Sequence, residues 1–249
     1  MPYYRNMSDA LVIIPTYNEK ENIEAIIRAV FSLQKPFHIL VVDDGSPDGT
    51  GAIVKRLQSE YPEALFLLER TQKSGLGRAY IAGFEWALQR DYQYVMEMDA
   101  DFSHNPCDLP HLYDACAKQS ADVAIGSRYK SGVNVVNWPI GRILISYFAS
   151  IYVRLFTGMN VSDTTAGFVC YRRNVLETIS LDTIRFVGYA FQIEMKFTAY
   201  KYRFKIVEVP IVFVNRKLGV SKMNSSIFGE ALTGVIQLKW RSLFRSYKR

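Results

Sequence analysis

Apolar and polar positions fall into alternating blocks along the first half of the chain. Short, nearly continuous apolar runs occur at "ALVIIP" (10–15), "HILVVDD" (38–44), "LFLLE" (65–69), "YQYVMEMD" (92–99) and "DVAIGS" (122–127). Runs of this length read as strands buried on both faces. Between them lie "EKENIEAIIRAVFSL" (19–33), "TGAIVKRLQSE" (50–60) and "GRAYIAGFEWALQR" (77–90), whose apolar residues recur at helical spacing. Asn18 is the expected cap of the first of these helices. Strand–helix alternation predicts an α/β fold: a mostly parallel sheet flanked by helices.

The second half has a different rhythm. A long apolar stretch, "WPIGRILISYFASIYVRLFTG" (138–158), leads into the turn-rich "MNVSDTTAGF". Then come a short apolar run "GFVCY" (167–171), a helical "YAFQIEMKFTAYKY" (189–202), a strand "KIVEVPIVFV" (205–214) and a basic loop "NRKLGVSKM" (215–223). The chain closes on "SIFGEALTGVIQLKWRSLFRSYKR" (226–249), amphipathic and basic. No Pro-, Gly- or Ser-rich linker interrupts it. We expect one catalytic domain over residues 1–225 with a C-terminal amphipathic segment over 226–249.

The polar clusters sit where the predicted strands end: "PTYNE", "DDGSPDGT", "RTQKSGLG" and "DADFSH". Ligands of parallel α/β sheets bind at the carboxyl ends of strands, so four such clusters predict one site. Within it, Asp99 and Asp101 are separated only by Ala100. In an extended segment, residues two apart face the same way, so the two carboxylates converge and repel unless a cation neutralises them. Hard oxygen ligands suit Mg²⁺ or Mn²⁺, and Mg²⁺ commonly takes one or two carboxylates plus substrate phosphate and water. "GLGRAYIAG" has the wrong glycine spacing for a dinucleotide fingerprint. Its Gly75 and Gly77 read as a helix-entry turn. His104 reads as a structural residue beside the acidic turn.

Composition narrows the class. At 249 residues, 49% apolar and 22% charged, the chain has the make-up of a folded globular protein. Its net charge is +6, and no acid follows Glu230, while Lys239, Arg241, Arg245, Lys248 and Arg249 crowd the end. Such a tail suits an anionic surface, membrane or nucleic acid. Nucleic acid would need basic residues interleaved with aromatics along a groove, which only the tail offers, so none is expected. Three cysteines without metal-type spacing suggest a reducing compartment. The first residues have no apolar secretory region, and the expected location is cytoplasmic, peripheral to the membrane.

Together, "VIIPTYNEKENI", "VVDDGSPDGT", "KSGLGRAY", "MDADFSHNP", "GSRY" and "FVNRKLGVSKM" resemble the family 2 glycosyltransferases of the GT-A fold. Within them, the chain is similar to the dolichol-phosphate (polyprenol-phosphate) mannose synthases over nearly its whole length. The resemblance implies a nucleotide–sugar donor, GDP-mannose, a dolichyl or polyprenyl phosphate acceptor, and inversion at the sugar. It implies that Pro15, Tyr17, Glu19 and Asp44 hold the nucleoside. Asp99, Ala100 and Asp101 hold the metal and diphosphate. The Asp-Gly pair also makes Asp44 a plain turn-former, an alternative that stays open. Lys73 is expected near the donor. Some family members have a metal-binding Gln two residues past the second aspartate. Ser103 stands there in this chain, with a water-mediated contact as the alternative.

A lipid phosphate, with a second pKa near ~6, is already largely dianionic at neutral pH and needs cations more than a general base. Arg128, Arg142 and Arg216 are the candidates, with Lys222 beside the last. The resemblance supports Arg128, Arg142 and Ser146 as acceptor-phosphate contacts and Arg216 as a diphosphate contact. On a helix over about 139–157, Arg142, Ser146, Ser150 and Arg154 step by four and fall within an arc of about 120°. A narrow polar stripe on a wide apolar helix suits the membrane surface, its polar edge turned to the site. A buried core helix is the alternative, and a spanning helix would carry two costly arginines. Asp163, Thr164, Gln192 and Glu194 are further candidates near the sugar or acceptor. The rival readings are a polyprenyl-phosphate glucosyltransferase using UDP-glucose and a non-catalytic membrane-associated module. Whether a separate subunit completes the membrane anchor is not readable from the sequence.

Overall fold

The computed structural model describes residues 8–216, 218 and 226–248, without the side chains of Tyr189 and 226–232. Seven strands form one mixed sheet: β1 (Ala10–Thr16), β2 (His38–Asp43), β3 (Leu65–Glu69), β4 (Tyr94–Glu97), β5 (Val123–Ser127), β7 (Val169–Arg172) and β8 (Ile206–Pro210). Their order is β3-β2-β1-β4-β7-β5-β8, and only β7 runs antiparallel to its neighbours. A second, two-stranded sheet pairs β6 (Val135–Val136) with β9 (Phe213–Val214).

β1 shows why the strands read as unbroken apolar runs. Leu11 and Ile13 enter the core on one face, and Ala10, Val12 and Ile14 enter the core on the other. Every one of these residues is fully buried. The helices that cover the faces are α1 (Ile23–Phe31), α2 (Thr50–Gln58), α3 (Leu76–Leu88) and α4 (Leu109–Ala117). α1 buries Ile23, Ile26, Ile27, Val30 and Phe31, the stripe its 3.6-residue period demands. The later helices are α5 (Ile140–Thr157), α6 (Arg173–Thr178), α7 (Tyr189–Lys201) and α8 (Ser226–Ser242). α8 packs on α7 and α5 and adds Val235 and Leu238 to the core.

Three expectations are corrected. Asn18 does not cap α1: it sits in the left-handed region (φ 55°), and its N–H donates to Ser46 Oγ at 2.9 Å. Residues 19–22 turn once more before the helix starts, with Glu19 O accepting from Asn22 and Ile23. The strand expected over 92–99 is ordered as β4 only through Glu97, because the acidic turn begins there. The strand expected over 205–214 breaks after Pro210. Ile211 still donates to Ser127 O, but Phe213 and Val214 leave the main sheet and pair with β6.

The chain runs outward from β1 through β2 and β3, then returns to place β4 on β1's other side. The order therefore reverses between β1 and β4, and the crevice beyond their carboxyl ends is the switch point where such folds bind ligands.

Candidate active site

Two turns flank that crevice. Each contains a non-glycine residue in the left-handed region: Asn18 after β1 and Phe102 (φ 60°) after β4. For phenylalanine this conformation is strained, and strain of this kind persists where the surroundings over-determine it. At Phe102 the reasons are visible. The N–H of Ser103 donates to Asp101 Oδ1 at 3.0 Å, and the N–H of Asp99 donates to His104 Nδ1 at 3.0 Å. His104 is buried and stacked on Phe168, and burial pushes its pKa down to about 4. A neutral ring with an unprotonated Nδ1 thus pins the acidic turn, the structural role the sequence suggested.

Asp99 and Asp101 differ sharply. Asp101 is buried, and Arg216 donates through Nη2 to its Oδ2 at 2.6 Å. Asp99 leaves 38% of its side chain accessible. Its surroundings push its pKa up, through the low-dielectric protein packed around it first and then the neighbouring Asp101 carboxylate, with Glu19 adding to it and Arg216 opposing. Tyr80 OH approaches Asp99 Oδ1 at 3.5 Å. Ala100, between them, is buried in the core. Among the described residues no cluster of three or more Asp, Glu, His or Cys has metal-holding geometry. The set still fits a divalent ion that shares its shell with a diphosphate. Two carboxylates repel each other at the crevice, and Ser103 Oγ beside them is buried with no hydrogen-bond partner among the described residues.

The loops after β1 and β2 are laced together. Asp43 accepts from Thr16 Oγ1 (2.8 Å), Ser46 Oγ (2.6 Å) and Ser46 N–H (2.9 Å). Asp48 accepts from Thr50 Oγ1 and from the Lys20 N–H, and Thr50 Oγ1 accepts from the Glu19 N–H at 3.1 Å. Asp44, the other half of the Asp-Asp pair, turns toward the loop after β3, where Arg70 Nη1 donates to it at 2.6 Å. Pro15 pairs with Val42 near the end of β1. Tyr17 lies under Lys73, whose Nζ is 4.5 Å from the ring centroid. Glu19 accepts from Asn22 Nδ2 at 2.9 Å and faces Arg216 Nη1 at 3.8 Å. Pro15, Tyr17, Glu19, Asp44 and Lys73 therefore gather on one side of the crevice. Lys222 lies outside the described residues.

The opposite side is cationic. Arg128 follows β5 and is held in a buried two-pronged pair with Asp163: Nε to Oδ2 at 2.7 Å and Nη2 to Oδ1 at 2.6 Å. Thr165 Oγ1 accepts a further bond from Nη2 at 2.8 Å. Burial would raise the Asp163 pKa, but Arg128 outweighs it and holds the carboxyl below the usual range. Glu208 on β8 fixes the Asp163 turn, accepting from Ser162 N–H, Asp163 N–H and Ser127 Oγ at 2.8–3.0 Å. The indole of Trp138 lies between two guanidiniums, 5.4 Å from Arg128 Cζ and 4.0 Å from Arg142 Cζ. Ser146, one turn along α5 from Arg142, faces Tyr129. Arg128, Arg142 and Ser146 thus converge.

Asn215 and Arg216 join the two sides. Asn215 Oδ1 accepts from Arg142 Nη1 at 3.1 Å, while Arg216 binds Asp101. Trp138, Asn215 and Glu208 had no role in the sequence reading. Only the Trp-Pro that opens the apolar stretch hinted at the first. Gln192 and Glu194 are held inside the protein. Gln192 Nε2 donates to Glu97 Oε2 at 2.6 Å, and Glu194 Oε2 accepts from the N–H groups of Arg185 and Phe186. Beneath the acidic turn, Glu97 and Lys196 are both fully buried, and burial pushes each pKa to about 8, upward for the acid and downward for the amine.

Comparison with known proteins decides the family. The family model for glycosyl transferase family 2 matches residues 11–180. The chain belongs to glycosyl transferase family 2. It is 49% identical over 227 residues to a polyprenol monophosphomannose synthase of Mycolicibacterium smegmatis, covering 91% of this chain and 85% of that one. It is 46% identical over 237 residues to an undecaprenyl-phosphate mannosyltransferase of Micrococcus luteus, covering 94% and 96% respectively. Its fold matches glucosyl-3-phosphoglycerate synthase of Mycobacterium tuberculosis, solved with Mn²⁺, UDP and glucosyl-3-phosphoglycerate. There the TM-score is 0.66 at 17% identity, over 95% of this chain and 80% of that one. The chain is a glycosyltransferase of the GT-A fold, and its likeness to polyprenol-phosphate mannose synthases, expected from its motifs, is borne out.

α5 settles one alternative. Its 18 residues are long and apolar enough to cross a membrane by length and composition, with a mean hydropathy of 1.3, and only 17% of them are buried. It is not a buried core helix. Ser150, Val153 and Thr157 face the protein, whereas Ile140, Leu144, Ile145, Phe148 and Leu155 are exposed.

Proposed function

We propose that this glycosyltransferase moves mannose from GDP-mannose to a dolichyl or polyprenyl phosphate at the cytoplasmic membrane surface, with inversion. The observation that carries the reading is the crevice itself. Carboxylates line one side, guanidiniums line the other, and the cationic side opens beside the exposed apolar face of α5.

On the anionic side, Pro15, Tyr17, Glu19 and Asp44 receive the nucleoside. Lys73, Arg216 and Lys222 serve the diphosphate. Asp99 and Asp101 hold Mg²⁺ or Mn²⁺, with Ser103 as a further or water-mediated contact. When bound, the ion neutralises charge on the departing diphosphate. Arg216 pairs with Asp101, which places its guanidinium beside the carboxylates that would hold the ion and within reach of a diphosphate bound there. On the cationic side, Arg142 and Ser146 grip the lipid phosphate, and Arg128, locked by Asp163, adds fixed positive potential.

A phosphate oxygen of the lipid attacks the anomeric carbon from the face opposite the nucleotide. The new C–O bond forms as the bond to GDP breaks, and GDP leaves with the electron pair. No proton has to be removed from the nucleophile, so no general base is needed. The exposed face of α5 lies in the headgroup layer and presents the cleft to the phosphate.

The test is incubation with labelled GDP-mannose or UDP-glucose, polyprenyl phosphate and a divalent ion. Label from GDP-mannose is expected in the lipid phase. Label from UDP-glucose alone would favour the glucosyl reading, and label from neither would overturn both.

A further inference from the structure

A second cavity lies away from the crevice, between α8 and the loop that precedes α7. It measures about 370 Å³ and is lined by Arg185, Phe186, Gln237, Trp240 and Arg241. Two guanidiniums, an amide and two aromatic rings make the lining of an anion site with an apolar rim. Neither Arg185 nor Arg241 forms an ion pair among the described residues. Glu194 does not line the cavity and bonds to the backbone of its wall. It is buried, accepts the N–H groups of Arg185 and Phe186, and feels Arg241 and Arg245 at longer range.

The wall is built rather than casual. The Phe186 ring packs on Gly234 of α8, where an added Cβ would meet it at 2.8 Å. The next residue, Val187, accepts through its carbonyl from Gly77 N–H at 2.8 Å, at the start of α3. The cavity wall is therefore tied to the start of α3. Around it α8 exposes Ile236 and Trp240, the turn that follows exposes Leu243 and Phe244, and α8 packs against α5, whose apolar face is exposed too. Aromatic side chains beside arginines, next to an apolar face, match the chemistry of the bilayer's phosphate layer.

We infer that this cavity binds the phosphate of an anionic phospholipid headgroup, between Arg185 and Arg241 and under Trp240. The inference rests on the membrane-surface reading above. It adds a lipid site separate from the acceptor's.

The experiment titrates the full-length protein with monomeric, short-chain phosphatidylglycerol, with short-chain phosphatidylcholine and inorganic phosphate as separate arms. Partition onto pure phosphatidylcholine vesicles is measured alongside. Saturable binding of phosphatidylglycerol is expected, weakened about 10-fold or more in Arg185→Gln/Arg241→Gln, since each basic group contributes about fivefold. Lys239→Gln/Lys248→Gln, which removes equal charge outside the cavity, is expected to keep it. Unsaturable binding, or equal binding by the cavity double variant, would overturn the site. So would inorganic phosphate binding as tightly as the lipid. The membrane reading fails separately, if wild-type protein does not partition onto the neutral vesicles.

Discussion

The two sides of the crevice carry opposite charge and are made rigid by different means. On the acidic side, charged groups grow directly out of core strands. Asp101 and Glu19 are nearly buried, their turns pinned by His104 and by Thr50. On the basic side, Arg128 is fixed by a buried counter-charge, whereas Arg142 rides on a helix with most of its surface outside the core and leans on one indole. The acidic side is preorganised by backbone, and the basic side by pairing and packing. A site that binds a soluble donor in a fixed pose and a lipid arriving from a membrane has use for both arrangements.

That contrast yields predictions in order of size. Asp101→Ala is expected to lower kcat/KM by roughly 10³-fold, the scale of losing a preorganised electrostatic contact in the transition state. A steady-state assay checks it, with circular dichroism to show the fold intact.

Next is the pair beneath the basic side. Asp163→Asn leaves Arg128 buried without its counter-charge and should cost about 3–5 kcal/mol of stability. Arg128→Met/Asp163→Leu should recover most of that stability in denaturant melts while staying inactive, separating the pair's structural role from Arg128's place in the site. The acid dependence has a definite sign. Asp163 has a depressed pKa when folded, so its contribution is complete above its unfolded value and is lost as pH falls through the folded one. Acid unfolding of the wild type should therefore include a step below about pH 4 that the apolar double variant lacks.

Arg142→Ala should raise KM for the lipid phosphate by about 10- to 100-fold, the range of one charged hydrogen bond, with little change in KM for the donor. Smallest is Phe148→Ser on the exposed face of α5. It should leave the melting temperature unchanged and weaken vesicle partition by about tenfold, measured by flotation.

Much of this is legible in the sequence. The apolar blocks announced the sheet because both faces of β1 are buried, and the polar clusters fell at strand ends because that is where a doubly covered sheet meets solvent. The acidic turn, and the arginines after β5 and on α5, stood out as charges next to apolar runs. What the sequence hid were partnerships across long stretches of chain: Asp163 with Arg128, Asn215 with Arg142, Gln192 with Glu97. Periodicity reports which face a residue occupies but not which distant side chain it meets. Asn18 misled for a related reason. Asparagine suits both a cap and a left-handed turn, and only the Ser46 contact selects the turn.

The central claim is a division of labour, in which the acidic side and its divalent ion hold the donor and the basic side does not. Calorimetric titration of GDP-mannose into the wild type, Asp99→Asn, Asp101→Asn and Arg142→Ala, with Mn²⁺ and with a chelator, tests it most directly. The account predicts that Mn²⁺ tightens donor binding in the wild type and in Arg142→Ala and has no effect in either aspartate variant. Donor affinity indifferent to the ion, or weakened by Arg142→Ala as much as by Asp101→Asn, would contradict it.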